Sequence, residues 1–226
     1  MEINSINTNE ILIEKLSISK IGFYNAGGSC YMSSIIQILA HSKIFLEKFL
    51  EKTYEDKNSF SSKFLDFLKL IENSNDSIKI EYFADDYNKI NPKFKANSGN
   101  NPIKFFSEFI KELSKENKEI LDLFKGKKFI KFEGMPELNY EEDFIFLMIT
   151  LDKENLDLKK SLYSEKEFED DKNLKLSEEI TVKPKILIFN ISHEEIDYEF
   201  EEFLTLDNVK YELKAVNRYS TIHSTV

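Results

Sequence analysis

The chain has 226 residues, 41% of them hydrophobic and 20 of them Phe, enough to bury a sizeable core in one large domain or two small ones. A formal charge of −10 gives no sign of the overall basic character that nucleic-acid binders usually carry, and suits a basic protein partner better. A single cysteine excludes intramolecular disulfides and zinc sites built on cysteine pairs. No apolar run approaches the ~18 residues of a membrane span, and the opening MEINSINTNEILIEKL lacks the basic-then-apolar pattern of a secretory signal. The expected setting is therefore reducing and intracellular, cytoplasmic or nuclear, with no membrane association.

Residues 1–20 form a polar lead-in with one short amphipathic piece. After Cys30, the apolar positions Ile35, Leu39, Phe45 and Phe49 suit a buried helix that continues into a second one. From Ser59 to Ile71, Phe60, Phe64, Phe67, Leu68 and Ile71 repeat at helical spacing. The polar, Asn-rich stretch from Ser74 to Asn101 reads as irregular. Pro102 opens another helix, with Ile103, Phe106, Ile110 and Leu113 on one face, because proline is tolerated in a first turn. The character changes at Phe124. KKFIKFEG and EEDFIFLMITL are short and Phe/Ile-rich, separated by Gly134 and Pro136, and read as a pair of strands. Asp152 to Glu179 is charged, helical or irregular. KPKILIFNI reads as a buried strand bounded by Pro184; YEFEEFLTL and YELKAV read as half-buried strands. Helices first and strands later predict an α+β fold in a single domain over 1–226, with no internal repeat.

The chemistry concentrates in IGFYNAGGSCYMSSIIQIL, which holds the only cysteine and three of the six glycines. A reactive cysteine must be a thiolate, and a helix N-terminus favours negative charge. Cys30 sits where the Gly-rich turn ends and the apolar run begins. Gly27 and Gly28 allow backbone angles closed to other residues and the close approach of another chain. The amide of Asn25 is placed to donate to an oxyanion. The same residues also fit a buried, inert thiol behind an ordinary turn. A cysteine nucleophile needs a base, and there are three histidines. His41 lies three turns along the helix and cannot reach back. His193 ends a predicted strand beside Glu194 and Glu195 and suits a surface turn. His223 follows a strand and a short turn, placed either to meet the thiol or to lie in a loop.

The stretch resembles the cysteine box of the ubiquitin-specific proteases, papain-like deubiquitinases, which runs roughly G-L-x-N-x-G-N-T-C-Y-M-N-S-x-x-Q-x-L. Gly22, Asn25, Gly27, Cys30, Tyr31, Met32, Ser34, Gln37 and Leu39 match. NPIKFFSEFIKEL resembles the helix that carries the family's Q-Q-D-x-x-E-F signature, with Asn101 in the Asp place and Phe105 in the Phe place. KPKILIFNI resembles the P-x-x-L-x-x-x-L strand. YELKAVNRYSTIH resembles the histidine box through Tyr211, Leu213, Ala215, Val216 and His223. The resemblance implies a minimal thumb–palm–fingers domain: a helical thumb over about 21–123, a fingers hairpin over about 124–151 and palm strands over about 180–226. It implies Cys30 as nucleophile, His223 as general base and then acid, and Asn25 with the Cys30 backbone N–H as the oxyanion hole. It also implies Asn101 and Phe105 as substrate-binding residues, Asn101 on ubiquitin's extended C-terminal tail. The implied reaction is hydrolysis of the peptide or isopeptide bond after ubiquitin's C-terminal Gly, with no cofactor and no metal.

The departures point to an alternative. The fingers lack the cysteine pairs that hold zinc in many relatives. Position 28 is Gly where the family has Asn, expected to be tolerated because that residue precedes the turn and need not contact substrate. Asn101 replaces a carboxylate, Ser224 follows the histidine where Tyr is usual, and no residue after His223 matches the family's orienting Asp or Asn. The alternative is a weak or inactive module that binds ubiquitin or ubiquitinated proteins, or scaffolds a larger protein complex as one of its subunits.

Overall fold

The computed structural model describes residues 8–25, 27–151, 157–163, 166–167, 175–193 and 199–216. They fall into two compact units, one built on the residues up to Asn117 with 214–216, the other on Lys118–Leu213.

In the first unit, phenylalanines at helical spacing and short polar caps decide the layout. Helix α1 (Thr8–Ile18) buries Leu12, Ile13 and Leu16, and the two-residue strand β1 (Phe23–Tyr24) follows. Helices α2 (Cys30–Ala40) and α3 (Lys43–Leu50) come next, divided at Ser42, whose side chain accepts from the N–H of Phe45. Helix α4 (Phe60–Asn73) starts at Ser59, whose side chain accepts from the N–H of Ser62. Each such cap is worth about 1 kcal/mol, because it pairs an N–H that has no partner inside the helix. Strand β2 (Ile78–Lys79) pairs parallel with β1, Tyr24 opposite Lys79.

The expected irregular stretch 74–101 holds this strand and a helix as well, α5 (Glu81–Ile90). Phe83, Ala84 and Tyr87 are buried along one side of it. Helix α6 (Pro102–Glu116) carries Pro in its first turn as expected, behind an Asn101 cap. The unit's core is aromatic. Phe64 meets Phe109 edge-on at 5.0 Å between ring centroids, and Phe60 meets Phe109 at 5.4 Å. Edge-to-face pairs set the positive ring edge against the negative face, for about 0.5–1.5 kcal/mol beyond the area buried.

The second unit opens with the short helix α7 (Glu119–Phe124) and continues in strands β3 (Gly126–Phe132), β4 (Tyr140–Phe144) and β5 (Leu147–Leu151). The run expected as one strand, EEDFIFLMITL, breaks between Phe144 and Leu147. Only β4 forms a hairpin with β3; β5 pairs parallel with β8 (Phe189–His193) in a separate two-stranded sheet. Between them lie α8 (Leu158–Tyr163), β6 (Lys166–Glu167) and β7 (Lys175–Val182). The expectation for 152–179 missed β7, which runs antiparallel to β3 in a sheet ordered β4-β3-β7-β6. Ion pairs tie the strands of this sheet together on both faces: Lys127–Glu141 at 2.7 Å and Lys131–Glu179 at 2.6 Å on the exposed side, and Lys128–Glu178 at 2.9 Å on the side of buried Ile130. Opposite charges facing across a ladder let a charged strand stay paired. Gly126 is required where it stands, because a Cβ there would lie 2.4 Å from Cζ of Phe144.

KPKILIFNI contributes a shorter strand than expected. β8 starts only at Phe189, while Leu187 packs against a core of Phe144, Leu147, Ile149, Leu151, Leu162, Ile180 and Leu206. The expected terminal pair of strands is the hairpin β9 (Phe203–Leu206) and β10 (Val209–Glu212), turned at Asp207 with φ 49°.

Candidate functional site

Cys30 is the first residue of α2 and is exposed, so the inert buried thiol is not what the chain builds. The turn before it is held by one side chain. The Oδ1 of Asn25 accepts from the backbone N–H of Gly28, the backbone N–H of Ser29 and the hydroxyl of Ser29, each at 3.2 Å. Three donors on one atom also settle which end of the amide is oxygen. The Nδ2 of Asn25 has no partner among the described residues, and Asn25 is exposed, so the amide N–H groups are free to donate. Ser29 is fully buried and does not cap α2 with its side chain; its hydroxyl serves the Asn25 brace instead.

Gly27 takes φ +80°, a conformation that costs a side chain but not glycine. Gly28 is there for a different reason from the tolerance expected of it. A Cβ at Gly28 would stand 2.9 Å from the N of Gly99, 3.0 Å from the N of Ser98 and 3.1 Å from the C of Asn97. The 97–99 backbone thus lies directly against the cysteine turn. Tyr31 anchors the same segment, its hydroxyl donating to the carbonyl of Lys95 at 3.1 Å. Burial, and secondarily the adjacent Cys30 charge, push the Tyr31 phenol up to about 12, so it stays protonated and donates. The sequence marks Tyr31 only as a motif match and Ser29 not at all. Their position beside the nucleophile is visible there, but their partners are not.

The other end of α2 is clamped to the chain entering β1. Gln37 Nε2 donates to the carbonyl of Ile21 at 2.6 Å. His41 has Nδ1 2.7 Å from the carbonyl of Gln37 and Nε2 2.8 Å from that of Ser19. At 1.5 Å per residue, His41 lies ~16 Å along the axis from Cys30. It braces the helix and cannot serve the thiol, as expected. The side chain of His193 and all of His223 lie outside the described residues.

Asn101 and Phe105, expected as substrate-binding residues, both have partners within the protein. The Oδ1 of Asn101 accepts from the N–H groups of Ile103 at 2.9 Å and Lys104 at 3.1 Å, capping α6. The oxygen assigned to a substrate tail is therefore spent on the helix mouth, and only the amide nitrogen is left. Phe105 is 0% exposed. It packs edge-on to Tyr31 at 5.5 Å and to Tyr87 at 5.3 Å, so in this structure it supports the residue next to Cys30 and touches no surface. Among the described residues, no group of three or more His, Cys, Asp or Glu is placed to hold a metal.

The ubiquitin carboxyl-terminal hydrolase family model matches residues 21–221, nearly the whole chain. The chain belongs to that family. Solved structures agree on the fold. A SAGA DUB module of Ubp8, Sgf11, Sus1 and Sgf73 bound to monoubiquitin superposes with TM-score 0.62 at 16% identity, over 86% of this chain and 50% of that one. A module of the same four proteins bound to ubiquitin aldehyde gives TM-score 0.58 at 17% identity, over 88% and 50%. An essential yeast splicing factor gives TM-score 0.61 at 22% identity, over 86% and 55%. The family member described here has the α+β, papain-like fold of a ubiquitin-specific protease domain, and it spans about half the length of these matched chains. No curated protein sequence matches it significantly. Among the described residues no helix is long and apolar enough to cross a membrane.

Proposed function

We propose that this chain is a thiol-dependent deubiquitinase that hydrolyses the peptide or isopeptide bond after the C-terminal Gly of ubiquitin. The observation that carries the reading is the turn itself: an exposed thiol at the first residue of a helix, beside an Asn whose oxygen is locked and whose amide N–H groups are unspent.

In the proposed reaction the Cys30 thiol is the nucleophile and the resemblance supplies His223 as its base. His223 takes the Sγ proton, and Sγ attacks the carbonyl carbon of the terminal Gly, forming a C–S bond. Charge builds on the carbonyl oxygen. Asn25 Nδ2 and the Cys30 backbone N–H stabilise it more in the transition state than in the substrate, which is what lowers the barrier. Collapse breaks the C–N bond, and the imidazolium returns its proton to the departing amine. Water, deprotonated by the same imidazole, then attacks the thioester. A C–O bond forms, the C–S bond breaks, and the thiol is restored. The reaction needs no cofactor or metal.

A second reading is favoured by Asn101 and Phe105. The Asn101 oxygen caps α6 and Phe105 is buried, which weakens the support for a contact of either with a substrate tail. A ubiquitin-binding module without turnover, acting within a protein complex, fits those placements. Release of a fluorophore joined by an amide to ubiquitin's C-terminus separates the two. Turnover that disappears in Cys30→Ala supports the enzyme. Retained ubiquitin binding with no turnover in wild type supports the module.

A further inference from the structure

The stretches of chain around the cysteine turn contain no carboxylate. From Lys15 to Leu46 and from Tyr87 to Ser107 there is no Asp or Glu, in a protein that has 41 of them. The second stretch carries Lys89, Lys93, Lys95 and Lys104. Lys89 is engaged by Asp86 at 2.8 Å. Lys93, Lys95 and Lys104 are exposed and make no ion pair among the described residues. The acidic residues that flank the stretch are already occupied, Asp86 by Lys63 and Lys89, and Glu108 by Lys111 at 3.2 Å.

The backbone that carries these lysines is fixed against the turn. Residues 97–99 abut Gly28, and the carbonyl of Lys95 accepts from Tyr31. Phe94 is buried against Tyr31 and Phe105. Asn100 Nδ2 donates to the carbonyl of Lys93 at 3.1 Å, and the N–H of Lys104 donates to Asn101. The result is a group of lysines without ion pairs among the described residues, carried on segments packed against the cysteine turn, in a protein of net charge −10. At physiological salt a charge is felt over only ~8 Å. The acidic bulk of the molecule disfavours a free polyanion at a distance, while these lysines attract carboxylates already delivered to them.

We propose that Lys93, Lys95 and Lys104 form a docking surface for an acidic peptide, a run of Asp and Glu in the protein that flanks the bond presented to Cys30. Presentation of that bond to Cys30 rests on the proposed thiol chemistry; the docking itself is measurable without it.

The test uses the full chain as Cys30→Ala and follows the anisotropy of a fluorescent Asp/Glu-rich peptide against a neutral peptide of the same length. The acidic peptide binds and the neutral one does not. Raising NaCl from about 50 to about 300 mM weakens the complex. Replacing the three lysines by Gln weakens it roughly tenfold, the summed effect of three exposed pairs, whereas replacing them by Arg preserves it, a control if the Gln variant folds poorly. Replacing Lys111 and Lys115 by Gln leaves binding unchanged. Equal binding of acidic and neutral peptides, or undiminished binding by the folded Gln variant, overturns the proposal. So does a single-stranded RNA of equal charge that binds as tightly as the peptide. Labelling by a ubiquitin electrophile reports on the thiol chemistry separately. Labelling without peptide binding sinks only the docking surface, and peptide binding without labelling sinks only the hydrolase.

Discussion

Asn25 and Ser29 are joined twice, the Asn25 Oδ1 accepting from both the backbone N–H and the hydroxyl of Ser29 at 3.2 Å. One amide thus has two tasks, an oxygen that shapes the turn and a nitrogen free to meet a developing oxyanion.

Substitution separates those tasks. Asn25→Asp keeps the acceptor and removes the donor. Its thermal midpoint is expected to stay close to wild type while kcat falls about 10²–10³-fold, the usual loss of one oxyanion donor. Asn25→Ala removes both, and is expected to lose stability as well as rate. Melting curves run beside steady-state kinetics check this. A large stability loss in Asn25→Asp contradicts the division of labour.

Gly28→Ala forces a Cβ within 2.9–3.1 Å of the 97–99 backbone. Backbone cannot swing aside as a flexible side chain can, so the expected cost is about 1–3 kcal/mol, as for other overpacked sites. The urea midpoint measures it. An unchanged midpoint means that the 97–99 segment does not hold the turn.

Those two contacts show how far the sequence was informative. The turn was legible because Gly and Cys are scarce in this chain and stand together here, close behind an Asn. Helices α2, α4 and α6 were legible because Phe, Ile and Leu recur at 3.6-residue spacing. Helix α5 was not, because its exposed side is Asp- and Asn-rich and its first residue follows Ile80, which supplies no side-chain cap. Strand β7 was hidden by Glu178 and Glu179, whose charges are answered by lysines on β3 far away in sequence. The break that sends β5 to a parallel partner leaves no mark in the apolar run DFIFLMITL. The approach of 97–99 to Gly28, some 70 residues away, is a tertiary fact that no local pattern records. The same holds for Asn101 and Phe105. Motif position suggested them as substrate contacts; their roles as a helix cap and a core residue are tertiary facts that the motif does not record.

The proposed base is testable by deletion. His223→Ala is expected to lower turnover at least ~100-fold, the typical contribution of general base catalysis, and to flatten the acid limb of the pH–rate profile. An unchanged rate and profile contradict the assignment.

The ion-paired carboxylate on α5 predicts a pH dependence of stability. Hydrogen bonding from Lys89, aided by Lys63, holds Asp86 below the usual carboxylate range, against a smaller opposing effect of burial. A carboxyl group with a lowered folded-state pKa stabilises fully above its unfolded value near ~4, and that contribution fades as pH falls through the folded value. Because the group is partly exposed, screening limits the effect to about 1 kcal/mol or less. Wild type is expected to be more stable than Asp86→Asn at neutral pH, with the gap closing below about pH 4 in urea titrations. A gap of the same size at both ends contradicts the pairing.

The most direct test of the central claim is intact mass after incubation with ubiquitin that carries a C-terminal electrophile. The chain has a single cysteine, so a thiol adduct can form only at Cys30. The account predicts one added ubiquitin on the wild-type protein and none on Cys30→Ala. Folded wild-type protein that binds ubiquitin yet forms no adduct contradicts it.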